Sequence, residues 1–217
     1  MIRVLVADDQ AMVRAGLRLI LEGQSDIEVV GEASDGEDVQ VAVRRDRPDL
    51  VLMDIRMPRL DGIAATRKLI EHHPALRILI VTTFDADQYV FEALRAGASG
   101  FILKDSSPEQ LMAAVRLIAA GDALLAPART RRLIETQVRP QTTFDKGLIG
   151  TLTDREREVL VLMARGLDNG DIADELVVSE ATVRTHVGHV LSKLDARSRV
   201  QAVVAAYESG LVRPSST

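Results

Sequence analysis

The chain has 217 residues, with 27 basic and 32 acidic side chains, a net charge of −5 and no cysteine. Its length suits two ordinary domains, and 47% apolar content is that of a globular protein. The missing cysteine excludes disulfides, thiol nucleophiles, iron–sulfur clusters and thiolate zinc fingers, and the acidic balance argues at face value against a nucleic-acid partner.

The first apolar run, Ile2 to Ala7, is broken by Arg3 and stops at Asp8-Asp9, too short and too acidic for a secretory signal. The longest aliphatic block, Ile78 to Val81, is far below the ~20 residues of a membrane helix, so a cytoplasmic protein with no membrane partner is expected. Through residue 121, β-rich runs alternate with helical patterns: Ile2–Ala7, Glu28–Glu32, Leu50–Asp54, Arg77–Thr82 and Gly100–Leu103. Between them, apolar residues such as Met12, Leu17, Leu19, Ile20 and Leu21 recur at helical spacing. Ser34 with Glu37, and Ser107-Pro108 with Gln110, read as capping boxes. The central runs are continuously apolar, as expected of strands covered on both faces. Residues 1–121 therefore predict an α/β domain, a doubly wound five-stranded parallel sheet that binds ligands at the carboxyl ends of its strands.

After Gly121 the pattern breaks. Residues 122–150 carry Pro127, Pro140, Gly147, Gly150 and the basic run Arg129, Arg131 and Arg132, and read as a linker with a short helix around 129–137. From Thr151 everything is helical: Thr153 with Glu156 caps one helix, Asp168 or Asn169 a second, and Ser179 a third that runs to about Leu194. A fourth covers roughly Ser198–Ser209, and Pro214 to Thr217 form a tail. A small all-α domain over 151–217 is expected.

Asp8 and Asp9 follow the first strand and Asp54 ends the third, so in a doubly wound sheet the three carboxylates meet on one rim. Crowded like charges repel. A hard divalent cation such as Mg²⁺ relieves the repulsion and keeps coordination positions for phosphate oxygens. Lys104, ending the fifth strand, and Thr82, ending the fourth, bring an ammonium and a hydroxyl to the same rim. Carboxylate nucleophile, cation, ammonium and hydroxyl together make a phosphoryl-transfer site.

These residues lie in VLVADDQ, LVLMDIRMPRLDG, ILIVTTFD and GFILKD, and across residues 1–121 the chain resembles the receiver domain of two-component response regulators, a flavodoxin-like fold. The resemblance implies that Asp54 accepts a phosphoryl group from a sensor histidine kinase. It further implies that Asp8, Asp9, Asp54 and the backbone carbonyl of Arg56 hold Mg²⁺, that Thr82 and Lys104 contact the acyl phosphate, and that Phe101 occupies an aromatic switch position. Met57-Pro58 and Asp61-Gly62 shape the loop after Asp54, and Asp105 departs from the proline that many receivers carry after the lysine. Aspartate-nucleophile phosphohydrolases share such a rim but need a second acid two residues on. Arg56 stands there, so an enzyme is not expected.

Residues Asn169–Leu176, the turn Val177-Val178 and the helix capped by Ser179 form a helix-turn-helix pattern. LTDREREVLVLMARGLDNGDIADEL followed by VSEATVRTHVGHVLSKLDARSRVQAV resembles the LuxR-type DNA-binding domain of NarL/FixJ regulators over 151–212. By position, that resemblance puts Arg184 and Thr185 against bases and Thr182, Lys193, His186 and Arg199 at phosphates or the rim of the interface. Gly188 departs from the longer residues of many relatives, and LDNGDIA carries less positive charge than the usual scaffold helix. His186 and His189, three apart, read as phosphate or packing residues before metal ligands. Val200, Val203, Val204 and Tyr207, at helical spacing, are a core face or a dimer seam, and the resemblance favours the seam. The expected protein is a transcriptional regulator controlled by phosphorylation and bound to operator DNA as a homodimer, with RNA polymerase as a further partner. The alternative is a phosphorylation-independent DNA-binding regulator whose receiver serves only to dimerise. The intact acidic rim argues against that alternative. Nor does the net charge exclude DNA: the surplus lies in the first segment, while residues 184–199 hold Arg184, Lys193, Arg197 and Arg199 against Asp195 alone.

Overall fold

The computed structural model describes residues 1–83, 87–120 and 146–212. They fall into two compact units, one within 1–124 and one within 125–217. The basic run at Arg129–Arg132, the helix expected around 129–137 and the tail from Pro214 lie outside the described residues.

In the first unit β1 (Ile2–Ala7), β2 (Ile27–Ala33), β3 (Leu50–Asp54), β4 (Arg77–Thr82) and β5 (Gly100–Leu103) alternate with α1 (Ala11–Glu22), α2 (Gly36–Asp46), α3 (Gly62–His72), α4 (Asp87–Arg95) and α5 (Pro108–Ala119). The strands form one sheet of order β2-β1-β3-β4-β5, every pairing parallel. All five residues of β3 are buried, which is why this central strand reads as a continuous apolar run. Side-chain alternation sends Val4, Val6, Leu50, Leu52, Leu79 and Val81 to one face, where Leu21 of α1 and Leu111, Val115 and Ile118 of α5 cover them. Each such fully buried leucine or valine contributes roughly 1.5–3 kcal/mol. In α1, Leu17, Ile20 and Leu21 pack inward, whereas Met12 and Leu19 are 87% and 77% exposed and belong to no core.

Capping fixes where the helices begin. Ser107 and Gln110 form the expected box at α5. At α2 the cap is Asp35, not Ser34: its Oδ1 accepts from the backbone N–H of Glu37 and Asp38, while the Ser34 hydroxyl bonds Asp38. A carboxylate one residue closer to the helix satisfies two open donors where a hydroxyl would satisfy one. Every described peptide bond is trans, Lys104–Asp105 included.

The second unit contains α6 (Lys146–Gly150), α7 (Asp154–Ala164), α8 (Asn169–Leu176), α9 (Glu180–Lys193) and α10 (Arg199–Glu208). Thr153 with Glu156 and Asp168 with Asp171 complete capping boxes, and Ser179 caps α9. The sequence assigns α6 to the linker, yet Ile149 is buried and its carbonyl accepts from Arg157 Nη2 at 3.3 Å, so this turn packs with the helices that follow. The core joins Val159, Leu160 and Met163 of α7, Ile172 of α8, Val183 and Val190 of α9, and Val200, Val203, Val204 and Tyr207 of α10.

That last stripe is a core face. Its four residues are 0–4% exposed within the single chain, and the Tyr207 hydroxyl donates to the Ala164 carbonyl at 3.3 Å. They are not a free dimer seam, because their apolar surface is already covered. Between α8 and α9, Val177 takes a left-handed conformation (φ 55°) while its side chain is 89% exposed, and Val178 N–H closes the helix end on the Ala173 carbonyl at 3.0 Å. No helix among the described residues is long and apolar enough to cross a membrane.

Candidate functional site

The rim at the carboxyl end of the sheet gathers Asp8 and Asp9 from the end of β1, Asp54 from β3, Thr82 from β4 and Lys104 from the end of β5. Asp8 and Asp54 are buried, 1% and 6% exposed, and Asp9 is open to solvent. One carboxylate oxygen from each of the three aspartates lies within 4.8 Å of the others. Local geometry fixes them: Asp8 Oδ1 accepts from Gln10 N–H at 2.9 Å, and Asp54 Oδ1 from Ile55 N–H at 2.8 Å. Lys104 Nζ bridges the pair, 2.7 Å from Asp8 Oδ2 and 3.0 Å from Asp54 Oδ2. A backbone bond from Lys104 N–H to the Thr82 carbonyl, 2.7 Å, sets the lysine against the end of β4.

Electrostatics follows from that burial. Removal from water pushes the Asp54 carboxyl above its ordinary value, with the Asp8 charge adding to the push and Lys104 opposing it. Burial alone would lower the Lys104 ammonium, but its bonds to Asp8 and Asp54 outweigh it and raise the lysine. Three oxygen donors with one face open, and no histidine or cysteine among them, suit a hard divalent cation. Thr82 is buried, and its hydroxyl makes only a long 3.4 Å bond to the next carbonyl. Phe101 is 7% exposed and sits in the sheet as a core residue.

Gly62 has a sharper reason than the turn expected there. A Cβ at this position would collide with the Asp54 carbonyl oxygen and lie 3.0 Å from the carbonyl carbon. The close approach lets Gly62 N–H reach the Ile55 carbonyl at 2.9 Å and seats α3 under Asp54. Three supports escaped the sequence reading. Arg14 Nη1 reaches the Asp8 carbonyl at 2.7 Å, Arg59 pairs with the buried Asp35, and the exposed Arg56 guanidinium lies 5.5 Å from the Tyr89 ring centre. Of these, only Arg14 had a signal, its helical spacing after the acidic pair.

On the second unit, α9 shows a different kind of surface. Thr182, Arg184 and Thr185 are exposed, as is Gly188, whereas His186 is half-buried. Arg184 Nη2 bonds Glu180 Oε1 at 2.8 Å, and the Thr185 hydroxyl donates to the Ala181 carbonyl at 3.1 Å. Lys193 is drawn onto Glu156 Oε2 of α7 at 2.6 Å, with His189 Nδ1 3.8 Å from the other oxygen. Arg199 is a correction. Its side chain is buried, donating to Asn169 Oδ1 at 2.7 Å and to the Leu167 carbonyl at 2.6 Å, so it ties α10 to the start of α8. A guanidinium spent on two internal acceptors is a clamp and not a phosphate contact.

Residues 4–116 match the response regulator receiver domain, and residues 150–206 match the luxR family of bacterial regulatory proteins. The chain belongs to the response regulators with a LuxR-type DNA-binding domain. As such it is a transcriptional regulator. It is 46% identical to the transcriptional regulatory protein YxjL of Bacillus subtilis over 98% of both chains. With the oxygen regulatory protein NreC of Staphylococcus carnosus it shares 39%, covering 97% of this chain and 99% of that one. Among solved structures, the response regulator ChrA of a haem-sensing two-component system matches with a TM-score of 0.54 and 38% identity, over 97% of this chain and 98% of that one. In this response regulator the acidic rim belongs to the receiver and the α9 face to the DNA-binding domain.

Proposed function

We propose that this response regulator is switched by phosphorylation of Asp54 and, when phosphorylated, binds operator DNA as a homodimer. The observation that carries the reading is the Lys104 ammonium set between Asp8 and Asp54, with Asp9 open beside them. A buried charge set of this kind has no structural purpose that an apolar rim would not serve better. The receiver would span residues 1–121 and the DNA-binding domain would follow the linker, with α6 packed onto its first helix, and the protein would act in the cytoplasm, between a sensor kinase and the DNA.

Asp8, Asp9, Asp54 and the Arg56 carbonyl would hold Mg²⁺, which when bound supplies positive charge to the oxygens of the transferred group. Asp54 attacks the phosphorus of a kinase phosphohistidine through a carboxylate oxygen. The new P–O bond forms as the P–N bond breaks, and the imidazole leaves with the electron pair and takes up a proton. Lys104 turns from Asp8 to the phosphoryl oxygens, and the Thr82 hydroxyl, weakly held, donates to them. Those two movements pull on the ends of β4 and β5, the route by which Phe101 and α4 would respond. On the DNA side, Arg184 would read base edges and Thr182 and Thr185 would contact the neighbouring backbone or bases. Two half-sites ~10 bp apart, read by a dimer, would multiply the few base pairs that one small domain recognises.

The test is a gel shift on a selected operator fragment, with and without phosphoramidate and Mg²⁺, for wild type and Asp54→Asn. Phosphodonor-dependent tightening in the wild type, with no label uptake in the variant, is expected. Equal binding in all four lanes would instead favour a phosphorylation-independent regulator.

A further inference from the structure

Glycine is, after proline, the residue least suited to a helix. In the receiver, the helical glycines Gly36 and Gly62 answer to the fold: a Cβ at Gly36 would lie 2.5 Å from the Leu60 carbonyl oxygen, and one at Gly62 would collide with Asp54. Gly188 answers to nothing among the described residues. It sits in the middle of α9, it is exposed, its backbone is not left-handed, and a Cβ there would meet no atom within 4 Å.

Its neighbours leave the position bare. Arg184 and Thr185, one turn before it, face solvent. The Arg184 guanidinium is drawn back along the helix to Glu180 at 2.8 Å, away from Gly188. A helical side chain covers the turn that precedes it, so Leu191 and Ser192 are the residues placed to lean over Gly188, and neither side chain comes within 4 Å of a Cβ there. Gly16 of α1 is equally open, but no DNA-binding domain lies there.

We infer that Gly188 is an approach position of the DNA interface, where the uncovered α9 backbone seats against the duplex and sets the depth at which Arg184 and Thr185 work. An α-helix with its side chains is about 10–12 Å across, and the major groove is about 12 Å wide. With so little clearance, one missing side chain on the inserted face decides how deep the helix goes. The glycine weakens the free helix, and its benefit arises only in the complex. The inference rests on α9 being the DNA-facing helix.

The experiment uses the full chain and a duplex selected by the wild-type protein from a random-sequence library. Affinity is read by anisotropy, and helix stability by amide hydrogen exchange across α9. Gly188→Ala is expected to slow exchange in α9 while weakening binding about tenfold or more. Gly188→Lys is expected to weaken binding too, although it adds a positive charge to the same face. Wild-type affinity in G188A, faster exchange in G188A, or tighter binding by G188K overturns the inference. Arg184→Ala separates the levels. If it loses affinity while G188A does not, Gly188 alone is rejected; if neither loses affinity, the reading of α9 falls with it.

Discussion

The receiver rim and the α9 face both use charged residues, and they hold them in opposite ways. At the rim Asp8 and Asp54 are buried and each has its oxygens committed, to Gln10, Ile55 and Lys104. On α9, Arg184 and Thr185 are exposed and bond only to their own helix. A site for a small group of constant shape gains from groups fixed in advance, since few of them need move during reaction. A surface that reads a long polymer needs side chains free to change partners. The buried charges of the helical unit, Glu156 and Arg199, serve neither purpose: they tie its helices to one another.

The largest expected effect attacks the fixed side of this contrast. Gly62→Ala forces a methyl group into the Asp54 backbone, and overpacking against backbone should cost about 3 kcal/mol. Urea unfolding of the receiver checks it, and an unchanged midpoint would mean that the rim does not depend on that close approach. Next comes Arg199→Ala, which removes the donor to Asn169 Oδ1 and to the Leu167 carbonyl. About 2–3 kcal/mol should be lost from the helical unit. At concentrations where the variant is folded, the salt dependence of DNA binding should not change, as it would for a lost phosphate contact.

The smallest effect is a pH dependence. The Lys193 hydrogen bond holds the Glu156 carboxyl below its ordinary value against the opposing pull of burial. A carboxyl depressed in the folded state stabilises above its unfolded value, and that contribution disappears as pH falls through the folded value. Glu156→Gln should therefore cost about 1–2 kcal/mol at neutral pH. The gap between variant and wild type should close in acid, below the usual carboxylate range. A gap that stays constant in urea titrations at the two pH values would remove the ion pair from the account.

Much of this organisation was legible in the residues. The bounds of β3, β4 and β5 follow from apolar runs that end in polar residues, and the acidic rim follows because a parallel sheet brings strand ends together. The misreadings share a physical origin. A 3.6-residue apolar stripe says that Val200, Val203, Val204 and Tyr207 are covered, but not whether the cover is this chain or another. Arg199, a cation at a helix start in a basic stretch, looks like a phosphate contact until its side chain is found turned inward. Ser34 lost the cap to Asp35 because one-residue precision at a helix end depends on backbone geometry. Gly62 was recognised as special, though the reason is a close approach across the fold, which no local pattern encodes.

Val177 carries one more consequence. A β-branched residue is disfavoured in the left-handed conformation, and with its side chain 89% exposed it gains no packing in return. The corner between α8 and α9 is thus made against the preference of its own residue. What holds it lies partly outside the motif: Arg155 of α7 bonds the Leu176 carbonyl through Nη2 at 2.9 Å. The helix-turn-helix is therefore not a self-sufficient motif. A peptide of residues 168–194 should give the circular dichroism of a largely unstructured chain, and the angle presented to DNA exists only where the surrounding helices impose it.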